Sequence, residues 1–184
     1  MKKQFRSDDQ ERRARQDPEK ILSSVGLKAG MVFVDMGCGD GFFTFPAARI
    51  VGPAGTVHAV DINPDAIGRL REQASREGFT NIVAEAQPAE KAVACKGCAD
   101  IVFFGIDLHD FADAGQVIRN AKVMLRPSGR LVDLDWKDVQ MDFGPPLAIR
   151  FSIEKARRMM EAAGFRVLSV ADSGPYHYLI IASP

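Results

Sequence analysis

An α/β fold, a mostly parallel sheet covered by helices on both faces, is predicted by three features. Apolar strand runs alternate with capped helical segments, a glycine-rich turn follows the first strand run, and a link too short for a parallel crossover joins the last two. At 184 residues and 46% hydrophobic content the chain suits one domain, 1–184, with a full core and no room for a second.

In chain order, Asp17-Pro18-Glu19 supplies an N-cap and a proline at the first helical position, and the helix should run to Val25, stopped by Gly26. Residues 1–16 ahead of it are charged and read either as a solvated arm or as a lid. The first strand run, Val32 to Met36, enters the glycine turn. A helix from Thr44 to Val51 tolerates Pro46 in its first turn and ends at Gly52. The second strand is Gly55 to Asp61. Asn63-Pro64-Asp65 caps a helix to Gly78, and Asn81 to Glu85 should be the third strand. Ala99 to Gly105 is the fourth, and a helix from Asp113 to Leu125 carries Val117, Ile118, Ala121 and Leu125 on one face. The fifth strand is Gly129 to Trp136. Residues 137–151, with Gly144-Pro145-Pro146, read as a loop over the C-terminal edge of the sheet. Ser152 caps a helix to Ala163, and Phe165 to Val170 and Tyr176 to Ala182 close the chain. Their five-residue link makes that pair antiparallel.

The turn Asp35-x-Gly37-x-Gly39-x-Gly41 lets backbone approach a ligand closely, and Asp61 follows Gly41 by 20 residues, the spacing that sets a carboxylate beside a ribose. A dinucleotide is disfavoured because Phe42 stands where the third glycine should lie under a pyrophosphate, and a P-loop because no Gly-Lys-Ser/Thr follows. A ligand with a ribose and a base but no phosphate remains.

With the blocks Ala99 to Gly105, Leu125-Arg126-Pro127-Ser128-Gly129-Arg130-Leu131 and Ala162-Ala163-Gly164-Phe165, this turn resembles the class I S-adenosylmethionine-dependent methyltransferases from about Asp17 onward. The overall form is similar to the small ubiquinone/menaquinone-type and generic members. The resemblance implies a Rossmann-like seven-stranded sheet, order 3-2-1-4-5-7-6 with the last strand antiparallel. It also implies S-adenosylmethionine as cofactor and S-adenosylhomocysteine as product. The Gly37 and Gly39 backbone would approach the methionine part, Gly41 would complete the cofactor-binding turn, Cys38 would pack near the cofactor, and Asp35 would anchor the loop and face the methionine amino group. Gly105 would offer its carbonyl to that group. Asp61 would accept the ribose hydroxyls and Ile62 would pack on the adenine. Family members often carry Asp-Ala after the third strand; this chain has Pro88-Ala89-Glu90, leaving the Ala89 backbone, with Glu90, for the adenine. In many members the N-terminal segment lies over the cofactor, which would make Phe5, Arg6, Arg12 and Arg13 part of a lid over residues 1–16.

His109 is the best candidate general base, because an imidazole near its ordinary pKa can take a proton from a hydroxyl, thiol or ammonium. Asp107 or Asp110 would orient it, and a loop histidine satisfied by backbone is the plainer alternative. Trp136 would stack on an aromatic substrate, face the sulfonium or close the core. His177 should lie opposite the tyrosines of Tyr176-His177-Tyr178 and pack in the sheet. Cys95-Lys96-Gly97-Cys98 lacks further ligands for a metal, so it reads as a loop with two small residues, and three cysteines suit a reducing, cytoplasmic compartment. No metal is expected. With 24 basic and 24 acidic residues, and neither a leader nor a spanning run, nucleic acid and membrane are not expected partners. A small-molecule methyl acceptor is, with homodimer formation left open. A non-catalytic S-adenosylmethionine-binding partner protein and a protein methyltransferase are the other readings.

Overall fold

The computed structural model describes residues 12, 13 and 15–184. Phe5 and Arg6 lie outside the described residues. The strands are β1 (Val32–Met36), β2 (Thr56–Asp61), β3 (Ile82–Ala86), β4 (Ala99–Gly105), β5 (Leu125–Trp136), β6 (Arg166–Ser173) and β7 (His177–Ser183). The helices are α1 (Pro18–Ser24), α2 (Thr44–Val51), α3 (Pro64–Arg76), α4 (Ala114–Met124) and α5 (Ile153–Ala162). All seven strands form one sheet in the order β3-β2-β1-β4-β5-β7-β6, with β7 antiparallel to both neighbours, as the sequence resemblance implies.

The caps read from the sequence at Asp17, Asn63 and Ser152 hold: Asp17 accepts from Lys20 N, Asn63 from Asp65 N and Ala66 N, and Ser152 from Lys155 N, each satisfying donors that a first helical turn leaves without partners. Asp113, expected as the first residue of its helix, is its cap and accepts from Gln116 N. The α2 end draws on a residue expected in β3. Asn81 Nδ2 donates to Ala48 O and Gly52 O, both at 2.9 Å, so the strand starts at Ile82. β5 starts four residues early, because Leu125 already pairs with Ala99 across an irregular turn. β6 runs past Val170 to Ser173, with its register shifting between Val167 and Ser169.

Alternate side chains bury on opposite faces. Val34, Met36, Val102, Phe104 and Leu131 meet α4 and α5, whereas Phe33, Val57, Ile101, Phe103 and Leu134 meet α1 and α2. Each fully buried side chain of this size contributes about 1.5–3 kcal/mol. Because β2 and β4 flank β1 on opposite sides, a crevice opens at the C-terminal strand ends, where α/β sheets hold ligands. Met36, Asp61, Gly105 and Trp136 end there. At the opposite end of the strands Cys95 and Cys98 form a disulfide, where the sequence read a loop with two small residues in a reducing compartment: the turn through Gly97 (φ +60°) brings their Cα atoms to 5.9 Å, within bridging range. Among the described residues no helix is long and apolar enough to cross a membrane.

Candidate active site

The glycine turn is tied to β2. Gly37 N and Cys38 N both donate to Val60 O (2.8 and 3.0 Å), Gly39 N donates to Asp61 Oδ2 and Asn63 N to Asp61 Oδ1 (each 2.8 Å). These bonds fix the Asp61 carboxylate while leaving each oxygen a further acceptor site. Gly37 (φ +79°) and Gly41 (φ +95°) hold left-handed backbone where a Cβ would come within 2.7 Å of the Asp107 side chain and of the Phe45 ring. Gly39 faces open space.

Carboxylates converge beside this turn. Asp35, at the end of β1, accepts from Thr44 Oγ1 at 2.6 Å, and burial raises its pKa to about 6 against that bond and the Arg12 charge. Asp107 is brought against Gly37 by Ile106, a non-glycine residue at φ +74°, a strained conformation of the kind found where function demands it. Burial pushes the Asp107 carboxyl well up, Arg12 pulls it back, and Asp35, Asp135 and Asp61 push it further. Burial, followed by the charges of Asp35, Asp61 and Asp107, also pushes up the Cys38 thiol, which therefore stays protonated and no nucleophile.

His109 sits in the short turn Leu108–Asp110 after β4, its side chain 2% exposed. The sequence assigned its orientation to Asp107 or Asp110; the structure assigns it to Asp135. Asp135, wholly buried near the end of β5, receives Nδ1 at 2.8 and 2.9 Å on its two oxygens and accepts from Trp136 N at 2.7 Å. Asp110 stands 3.6 Å from the other ring nitrogen, Nε2, and is mostly exposed. Burial pulls the imidazole pKa down, but the Asp135 bond and charge and the Asp110 charge outweigh it and raise the pKa above its ordinary value.

Of the remaining expected residues, Ile62 is 67% exposed, an apolar side chain held out beside Asp61. Ala89 is buried in the turn Ala89–Lys91, where Asn120 Nδ2 donates to Ala89 O (3.1 Å) and Glu90 O (2.9 Å). The Glu90 carboxylate accepts from Asp113 N at 3.2 Å, at the start of α4. Gly105 is packed so closely that a Cβ would meet the Phe43 ring at 2.8 Å. These residues fit an S-adenosyl ligand: an exposed apolar side chain next to a ribose-type carboxylate, open space at Gly39, and several acids for a cationic end.

Above the site, the loop after β5 folds on one cation. Arg150, 8% exposed, donates to Val139 O (2.8 Å), Pro145 O (2.9 Å), Phe143 O (3.0 Å) and Lys137 O (3.3 Å). Trp136 packs against His177 (4.3 Å between centroids) and Phe143 (5.8 Å), and Phe143 against Tyr176 (4.7 Å). His177 is buried, as expected, and lies opposite Tyr178, which pairs with Asp135. Tyr176 precedes the strand, so it shares the cluster of His177 instead of the opposite face. Gln16 Nε2 lies 2.9 Å from His177 Nε2; an amide nitrogen only donates, so the ring is neutral. Arg12 stacks 3.9 Å over Phe42.

Asp135, Thr44, Arg150 and Gln16 were not singled out from the sequence. One signal was there for Asp135: Asp133-Leu134-Asp135 places acids at alternate positions inside an apolar strand.

The family described as "Methyltransferase domain" matches residues 27–164. Nocamycin O-methyltransferase of Saccharothrix syringae is 30% identical over 61% of this chain and 40% of its own length. The ubiquinone/menaquinone biosynthesis C-methyltransferase of Hahella chejuensis is 30% identical over 62% of this chain and 47% of its own. The chain thus spans less than half the length of these curated relatives. A SAM dependent methyltransferase from Aquifex aeolicus superposes with a TM-score of 0.90 at 29% identity, covering 95% of this chain and 93% of that one.

Proposed function

The chain belongs to the class I S-adenosylmethionine-dependent methyltransferases, and from that premise we propose that it moves a methyl group to a small-molecule acceptor by direct in-line displacement, with His109 as general base. S-adenosylmethionine supplies a methyl carbon made electrophilic by its sulfonium, so the protein needs no covalent catalyst. The observation that carries this reading is the convergence of four aspartates, Asp35, Asp61, Asp107 and Asp135, from the ends of β1, β2, β4 and β5. Acids so close repel one another, and a cationic ligand relieves that repulsion. Asp61 and Ile62 would hold ribose and adenine, and the Ala89–Lys91 turn would reach the adenine through backbone. Asp35 and the Gly105 carbonyl would receive the amino group, and the turn from Gly37 to Gly41, with buried Cys38, would shape the wall beside the methionine part. Asp135 would hold Nδ1 so that Nε2 takes the acceptor's proton, while Asp110 at the mouth favours the imidazolium that results. Arg12 and Gln16, docked on Phe42 and His177, support a lid made by the N-terminal arm, residues 1–16.

Calorimetric titration with S-adenosylmethionine, S-adenosylhomocysteine and NAD tests the reading. Binding of the first two but not NAD is expected, weakened tenfold or more by Asp61→Ala, since each charge-assisted bond contributes about 1.5–3 kcal/mol. NAD binding alone, or no binding, would sink it. Cofactor binding with no turnover across an acceptor screen would leave a non-catalytic partner protein.

A further inference from the structure

Residues 87–98 link β3 to β4 and run beside α4. Near one end of this link is the turn Ala89–Lys91, assigned above to the adenine, and at the other is the Cys95–Cys98 disulfide. The same helix holds both. Asn120 Nδ2 donates to Ala89 O (3.1 Å) and Glu90 O (2.9 Å), and Asp113 N, at the cap, donates to the Glu90 carboxylate at 3.2 Å. At the far end of α4, Gly97 N donates to Val123 O and Cys98 N to Met124 O, both at 3.0 Å.

The middle of the link is held less firmly. Ala92 N closes the turn on Ala89 O at 3.2 Å. From there to Gly97, among the described residues, the one backbone N–H with a partner is that of Ala94, on the weakly accepting sulfur of Met124 at 3.3 Å. Cys98 is fixed, because its own N–H is bonded and its neighbour Ala99 pairs with Leu125 in the sheet. Cys95 has no backbone hydrogen bond among the described residues. The bridge to Cys98 therefore ties it down, helped by the apolar contacts of Ala92, Ala94 and the two cysteines with the core under α4 and α5.

We propose that Cys95–Cys98 is a reversible redox site that sets cofactor affinity: the bridged form holds the link, and with it the adenine turn, against α4, and the dithiol form lets the link loosen. This rests on the methyltransferase reading and adds a regulation to its cofactor site. The partner in the exchange is a dithiol reductant. Its first thiolate attacks one sulfur, the S–S bond between Cys95 and Cys98 breaks and a mixed disulfide forms; its second thiolate then displaces the protein sulfur. Two electrons and two protons pass to the protein, which gains two thiols, and the reductant leaves as its own disulfide. Both cysteines are half-buried and Lys96 and Gly97 between them are exposed, so the bridge is open to attack. Cys38, the remaining cysteine, is buried in the glycine turn and takes no part. The bridge spans a sequence separation of only 3, and closing a loop that short shifts an ordering equilibrium by at most about 20-fold.

The test prepares the whole chain in two states, one treated with oxidised glutathione and one with dithiothreitol, each reagent then removed, and titrates both calorimetrically with S-adenosylhomocysteine. Thiol titration in denaturant should count one thiol in the first state and three in the second. The bridged protein is expected to bind about three- to twentyfold more tightly, within the bound set by loop closure. Amide hydrogen exchange over residues 89–98 should be faster by about tenfold or more in the dithiol form, with β1 and β2 unchanged. Linkage demands the converse: in a dithiothreitol redox buffer, S-adenosylhomocysteine should shift the equilibrium toward the bridge by the same factor as the affinity ratio. Cys95→Ser combined with Cys98→Ser keeps Cys38 and should bind like the dithiol form after either treatment. The measurements on the unaltered chain stand whether or not this variant folds. Three thiols after oxidation, equal affinity in the two states, or a redox response that survives in the double variant overturns the switch alone. Failure of S-adenosylhomocysteine to bind in either state overturns the parent reading with it.

Discussion

At the scale of single residues, the His109–Asp135 pair and the Asp35–Thr44 pair make opposite demands on protons. Asp135 holds the imidazole pKa above its ordinary value, so the free base forms as pH rises through that raised pKa, and kcat/KM should climb along a limb lying above pH 6.5. Asp135→Asn removes the two larger raising interactions and leaves burial opposed by the Asp110 charge alone, which moves the limb to lower pH while kcat falls. His109→Ala should cost roughly 10²–10⁴-fold in kcat. pH profiles of the three proteins check both statements. Asp35 runs the other way: only its ionised form attracts an ammonium group, and with a pKa of about 6 that form is lost as pH falls below 6. Cofactor affinity should therefore drop about tenfold per unit below that point, with protons released on binding near pH 6. Titrations in buffers of different ionisation enthalpy measure the release, and uptake or no change would refute the assignment. Asp35 and His109 were both legible in the sequence, one from the glycine turn and one as a histidine after a strand. Their partners were not, because Asp135 is 26 residues from His109 and meets it only through the β4–β5 register.

At the scale of elements, the caps of α1, α3 and α5 were readable because a cap is a bond between near neighbours in the chain. Asn63→Ala should cost about 1 kcal/mol in chemical denaturation, with the fold unchanged. The loop after β5 was readable only as a loop. Its order comes from Arg150, which returns to four carbonyls from as far as 13 residues upstream, and no local period announces such a staple. Arg150→Met should free residues 137–151 without unfolding the sheet. Limited proteolysis should then cut within that loop at least tenfold faster, while S-adenosylhomocysteine binding changes little. Equal cleavage of both proteins would show that the loop is held by other means.

For the whole molecule, the buried face that α4 and α5 cover carries a stability cost. Asp133 is wholly buried beside the Tyr178 hydroxyl, and among the described residues neither its oxygens nor that hydroxyl find a partner in good hydrogen-bond geometry. Burial first, and then the charge of Asp135, pushes the Asp133 carboxyl well above the usual range. An acid whose pKa is higher folded than unfolded binds more protons when folded, so its contribution weakens as pH rises from about 3.8 to the folded value, by up to about 1.4 kcal/mol per unit. Asp133→Asn keeps the shape without the charge and should raise the melting temperature at pH 8 more than at pH 5. An equal change at both pH values would remove the titration as cause.

The alternation of strands and helices, the glycine turn with Asp61 twenty residues beyond it, the antiparallel ending and the family were all legible in the chain. These are set by rules acting over a few residues to about twenty: side-chain period, caps, turn geometry and the length of a crossover. The assembled fold alone sets Asp135 against His109, gathers four aspartates at one crevice and brings Gln16 to His177 from 161 residues away. Those contacts depend on which strands become neighbours and in what register. Burial then fixes the charge that each of these groups carries, and burial is a property of the assembled sheet and its helices.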